Sequence, residues 1–174
     1  MAMDGNIPEK IHLFNAYTDG NKLVGLTEEV KLPELESMTE TISGPGLLGE
    51  IDAPTPGFYG SMEQEIPFRT LYDDMFSLMA PLTAVNLTLR GSIQVLTPAG
   101  GYDTIGCRIV EQGRLKKFTP GTMKQGSPME GSVTLELTAI MIELDGVNKF
   151  ELDKVNGVHK VDGVDILAKA RSQA

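Results

Sequence analysis

TAVNLTLRGSIQVLT, residues 83–97, is the cleanest period-2 stretch in the chain. Val85, Leu87, Leu89, Ile93 and Val95 point to one side, and Asn86, Thr88, Arg90, Ser92 and Gln94 to the other. That is a long strand with one apolar and one polar face. Downstream, Pro98-Ala99-Gly100-Gly101 turns the chain into a second strand over 102–110. Residues 111–131 read as a strand end followed by a Gly/Pro-interrupted loop. SVTLELTAIMIEL, residues 132–144, reads as another long strand, apolar on both faces from Ala139 to Ile142, which implies cover on both sides. Asp145-Gly146 turns it into 148–153.

Upstream, residues 61–69 alternate again. Met62, Gln64, Ile66 and Phe68 share one face, with Glu63, Glu65 and Arg69 on the other. The period then changes: Leu71, Met75, Leu78 and Met79 share a helical stripe over 71–80. Asp73 and Asp74 sit at the favourable N-terminal end, and Pro81 stops the helix. Nearer the start, 10–18 is β-rich, Asp19-Gly20-Asn21 is a turn, and 21–32 reads as the returning strand closed by Pro33. Residues 34–42 extend it with a mostly polar surface, and 161–169 reads as a short terminal helix. The expectation is one domain over 1–174, mainly β: a barrel or sandwich of long antiparallel strands with one packed α-helix.

Residues 43–60 stand apart. Five glycines and three prolines exclude a regular element, yet Leu47, Leu48, Ile51, Phe58 and Tyr59 are large and apolar. A flexible linker lacks such residues, so they need a surface to bury against, on their own domain or on a neighbour. In the C-terminal segment, 157–174, Val161, Val164, Ile166 and Leu167 are spaced as docking residues rather than as a fraying tail.

Composition narrows the function. The net charge of −9 disfavours gripping a phosphate backbone. The N-terminal MAMDGNIPEKIH has no basic stretch leading into an apolar one, so no signal peptide is expected, and no apolar run reaches bilayer length. The single cysteine, Cys107, alternates with Ile105 and Ile109 and reads as a small buried hydrophobe in a chain folded under reducing conditions. His12 and His159 have no cysteine near them at zinc-ligand spacing and read as ordinary surface or interface histidines. Nucleophile elbow, phosphate loop and dinucleotide fingerprint are all missing. Adjacent pairs such as Glu28/Glu29 and Asp73/Asp74 diverge onto different faces, so acid–base work has no warrant. No catalytic residue, metal site or cofactor is expected.

Three collinear segments carry a resemblance. NAYTDGNKLVGLTEEVKLPEL (15–35), GPGLLGEID (44–52) and the closing ELDKVN…VDGVDIL with its basic end, Lys169 and Arg171, resemble the opening hairpin, Gly-rich loop and close of contractile-phage major tail tube proteins. The resemblance spans nearly the whole chain and extends to contractile bacteriocin and type VI secretion tubes. It implies a structural subunit rather than an enzyme, with one helix packed on the side of a β-barrel or sandwich. Subunits of that kind form hexameric rings that stack into a hollow tube within a virion tail assembled in the bacterial host cytoplasm. The implied partners are further copies, a tail sheath, a baseplate or initiator and a tape measure protein, with viral DNA passing without specific binding. The 43–60 loop falls where such proteins send an arm to the adjacent ring, making Leu47, Leu48, Ile51, Phe58 and Tyr59 the expected ring-to-ring anchors. Glu63 and Glu65, with Glu34, Glu36 and Glu40 as further candidates, are expected to line the lumen, where carboxylates repel phosphate. The alternative of another class is a small-molecule-binding β-barrel carrier, which requires an apolar interior cavity with a few polar anchors.

Overall fold

The computed structural model describes residues 5–174. The reading of the extreme N-terminus as free of a signal peptide falls partly on residues 1–4, outside the described residues. One antiparallel sheet dominates. Its strands are β1 (Ile7–Thr18), β2 (Asn21–Lys22), β5 (Glu63–Phe68), β6 (Val85–Leu96), β7 (Tyr102–Thr119), β8 (Gly131–Leu144), β9 (Val147–Asp153), β10 (Val158–Val161) and β11 (Val164–Asp165). Their order is β11-β10-β9-β8-β7-β6-β1-β2, and β5 also pairs with β8. A separate two-stranded hairpin joins β3 (Ser37–Ile42) to β4 (Ile51–Tyr59). Helix α1 (Asp73–Ser77) is internal and α2 (Ala168–Gln173) terminal. The expected β architecture with one packed internal helix is present.

Strand β8 is the hub. Its first half lies between β7 and β5, and its second half between β7 and β9. Leu137 and Ile140 are both buried although three residues apart. Strict alternation forbids that, and Thr138 resolves it as the extra residue of a bulge: Leu137 pairs with Gly113 and Ala139 with Gln112. Gly113 is needed at this crossing, because a β-carbon there would stand 2.6 Å from the Glu136 carbonyl oxygen. A second irregularity, on β7, leaves Lys116 between Leu115 and Lys117 in the ladder.

The core follows the alternating patterns. Met62, just before β5, and Ile66 and Phe68 on it meet Val85, Leu87 and Leu89 of β6 and Val133, Leu135 and Leu137 of β8 in one cluster. Met75 and Leu78 close it from α1 and the turn after it. Each such side chain stabilises by about 1.5–3 kcal/mol. The helix is shorter than 71–80: Leu71 lies outside it and is exposed. The Asp74 carboxylate accepts the Val24 N–H at 2.8 Å, tying α1 to the segment after β2.

Three expectations are corrected. The strand over 21–32 ends at Lys22; Gly25 at φ +78 turns the chain, and Leu23, Leu26 and Val30 then pack on the core without a sheet partner for most of the segment. Residues 51–59 are a strand despite Pro54 and Pro56, since the β3–β4 hairpin belongs to no larger sheet and prolines are tolerated on edges. Residues 161–165 are a tight hairpin, not a helix. Asp162 (φ +50) and Gly163 (φ +81) form its turn, and helix begins only at Ala168.

Candidate assembly interface

The β3–β4 hairpin forms an arm. Its tip, residues 43–50, is wholly exposed; Leu48 is 110% accessible, and Leu47, Ile51 and Phe58 are exposed too. Met38 and Ile42 of β3 add to this apolar surface. Reading 34–42 as a polar strand missed them, although two apolar residues among hydroxyls and carboxylates were the visible signal.

The arm's root is rigidly held. Tyr59 turns inward against the core and differs in this from the other four loop residues. Its hydroxyl lies 3.1 Å from Nε2 of His159, and Tyr59, Phe150 and His159 stack edge to face in a triad. His159 is thus a buried residue of the fold rather than a surface one; His12 is exposed. The Gly60 N–H donates to the Glu36 carbonyl oxygen at 2.9 Å, and Lys154 Nζ donates to the Gly60 carbonyl oxygen at 2.5 Å.

In the C-terminal segment, Val161, Val164 and Ile166 are exposed and Leu167 is half-buried against Gly57 of β4. Asp165 fixes the segment by accepting the Leu167 N–H at 3.0 Å and an Arg171 N–H at 3.0 Å. The hydrogen bond from Arg171 holds the Asp165 carboxyl below the usual carboxylate range.

Of the acidic candidates, Glu34, Glu63 and Glu65 come together around one cleft of about 420 Å³ with Lys31 and Lys117. Glu34 pairs with Lys31 at 3.0 Å, and Glu63 with Lys116, which also reaches Glu136 at 3.0 Å. Glu36 and Glu40 lie at the base and on the first strand of the arm.

Sequence reading overlooked Glu111, in the stretch read as a strand end; β7 in fact runs on to Thr119. Glu111 is fully buried, flanked by Leu87 on β6 and Ile140 on β8, with no hydrogen-bond partner in the protein for either oxygen. Desolvation pushes its pKa up to about 8. Its signal was a charged residue in phase with Ile109 in the alternation. Cys107 is half-buried, and burial pushes its thiol up. Among the described residues, no group of three or more His, Cys, Asp or Glu could hold a metal ion.

The geometry combines a buried β core with an exposed apolar arm standing off it. The chain belongs to the phage tail tube protein FII family, whose model matches residues 8–173. It is a tail tube structural protein, not an enzyme. It is 28% identical over 170 residues to the tail tube protein of Escherichia phage P2, covering 95% of this chain and 96% of that one. It is 24% identical over 160 residues to the major tail tube protein of Serratia phage KSP20, covering 92% and 91%. Among solved structures, it is similar in fold to the sheath/tube terminator, in the extended state, of PVC, an extracellular contractile injection system. That match has a TM-score of 0.53 and 12% identity, and covers 78% of this chain and 96% of that one.

Proposed function

We propose that copies of this chain join into hexameric rings, that the rings stack into a hollow tube through the arm, and that the tube serves as a conduit for DNA or as a membrane-puncturing shaft. The observation that carries this reading is the arm: Leu47, Leu48, Ile51 and Phe58 stand exposed on a hairpin with a clamped root. Solvent exposure of several large apolar side chains on one protrusion marks an interaction site.

Unpaired sheet edges support ring closure. Residues 7–15 of β1 pair only with β6, and residues 102–105 of β7 likewise have β6 as their one partner. Long open edges call for a neighbour or for protection. The tail sheath, a baseplate or initiator and a tape measure protein are the further partners of such a tube, assembled in the host cytoplasm. Glu63 and Glu65, with Glu34, Glu36 and Glu40, face the lumen in this reading, and DNA passes without specific binding. Glu34 and Glu63 have lysine partners, so the net negative lining rests on Glu36, Glu40 and Glu65. Electron microscopy of concentrated protein, with an initiator complex added, should show hollow tubes with sixfold rings. Particles that never exceed monomer size under those conditions defeat the proposal.

A further inference from the structure

Strand β7 contains a glycine that its backbone does not require. Gly106 lies inside the strand and outside the left-handed region, and a β-carbon there would meet nothing within 4 Å. Neither a turn nor close packing accounts for it. A glycine inside a strand weakens it, and such a position often marks the close approach of a ligand or of another backbone. Gly106 borders a hollow of about 350 Å³, lined also by Arg90, Gly91, Arg108, Glu143 and Gly146. It projects from the same face as Arg108, two residues along the strand.

Arg90 of β6 and Arg108 of β7 are direct cross-strand partners, so both stand on that face. Like charges directly opposite one another destabilise a sheet. One carboxylate answers them: Glu143, the next residue across on β8, accepts a hydrogen bond from Arg108 Nη2 at 2.6 Å. Arg108 Nε is buried and has no partner. Arg90 makes no ion pair among the described residues. Its guanidinium carbon lies 5.6 Å from the centre of the Tyr17 ring. Stacking of this kind orients the guanidinium plane and leaves its N–H edge free. The rung therefore holds two cations and one anion, with open space beside the unbalanced charge.

We propose that this hollow binds a phosphate group, either free or within a phosphodiester, between Arg90 and Arg108. Guanidinium forks match phosphate oxygens in pairs, and a tetrahedral group offers oxygens to both arginines at once, which a flat carboxylate does not. The single charge of a phosphodiester balances the rung. The cleft at Glu34, Glu63 and Glu65 sets three carboxylates against two lysines and repels the same ligand. A contact to phosphate alone carries no base sequence. The net charge of −9 keeps its affinity low and salt-dependent. The site lies within one subunit, so it stands or falls separately from ring formation and stacking.

Phosphorus NMR of inorganic phosphate tests the site on the full chain at fixed ionic strength, because binding broadens the free line whatever the assembly state. The unaltered chain should broaden it. Arg90→Gln should raise the dissociation constant at least about tenfold, the loss of one charge-assisted fork. Gly106→Val should abolish the broadening by filling the hollow, with an unchanged or higher melting temperature, since its β-carbon meets no atom of the fold. No broadening by the unaltered chain, or full broadening by either folded variant, overturns the proposal. If one variant fails to fold, the other decides. Acetate that displaces phosphate at equal concentration reveals a carboxylate site and overturns it as well. A short oligothymidylate separates the two sources: displacement of bound phosphate assigns the site to a phosphodiester, and binding of inorganic phosphate without displacement assigns it to the free ion.

Discussion

Leu167 closes directly over Gly57: a β-carbon on Gly57 would stand 2.8 Å from one terminal carbon of Leu167 and 2.9 Å from the other. Gly57 sits at φ +82, in the left-handed region, two residues before Tyr59 at the root of the arm. The C-terminal segment and the arm therefore share a contact that a side chain at position 57 could enter only by displacing the end of Leu167. Gly57→Ala should lower stability by about 1–3 kcal/mol, from left-handed strain together with overpacking. Leu167→Ala in that background should recover the overpacking part. A double-mutant cycle on chemical denaturation checks it, and purely additive effects would show that the two residues are not in contact.

Glu111 sets a pH dependence. Its folded pKa of about 8 exceeds the ordinary value of 4.5, so between these values the folded state binds the extra proton. The stability it contributes is complete below about pH 4.5 and is lost as pH rises through about 8. Asp162 and Asp165 act in the opposite sense at lower pH: hydrogen bonds from Lys149 and Arg171 depress them, and stability falls as they protonate. Glu111→Gln should therefore raise the melting temperature more at pH 8 than at pH 5, by several degrees if about 1 kcal/mol is recovered. An equal gain at both values would mean that the carboxyl ionises in the folded protein as it does in the unfolded chain, so that burial does not raise its pKa.

Leu47→Asp with Leu48→Asp should leave the monomer's melting temperature nearly unchanged, because neither residue is in the core, and should block stacking. Calorimetry and electron microscopy on the same preparation give both readouts. Unfolding of the monomer would place the tip in its own core.

Val164→Asp tests the C-terminal segment more cleanly than truncation. Cutting after Gly157 removes β10 together with the buried His159, and so damages the fold itself. Val164 is 63% exposed, and its replacement should cost the monomer less than about 0.5 kcal/mol while impairing assembly. Tubes of normal length from this variant would remove the segment from the interface.

Legibility in the sequence followed periodicity. β5 and the first half of β6 were readable because alternation and burial agree there residue by residue, as with Met62, Gln64, Ile66 and Phe68. The break at Thr138 was not readable, because a bulge shifts parity without any distinctive residue type. The 21–32 segment failed for a related reason: Leu23, Leu26 and Val30 are buried as a wrapping chain whose spacing fits neither template. At the terminus, Asp162-Gly163 carries a turn signal, but the apolar spacing around it fits a short helix equally well. The apolar surplus in 43–60 was visible, but not whether it packs on its own domain; the clamp of Tyr59 by His159 joins residues 100 positions apart and no local pattern reports it.

Pro54 and Pro56 on the second strand of the arm have a final consequence. A proline has no amide hydrogen, so this strand is a poor template for indefinite main-chain pairing, even with its hydrophobic residues in water. Fidelity in choosing a neighbour is thereby moved from backbone to side chains. Backbone pairing is generic and would let any stray extended segment adhere, whereas side chains can be exchanged one at a time. The tip's vocabulary of contacts can drift from one lineage to another while the ribbon that presents it keeps its shape.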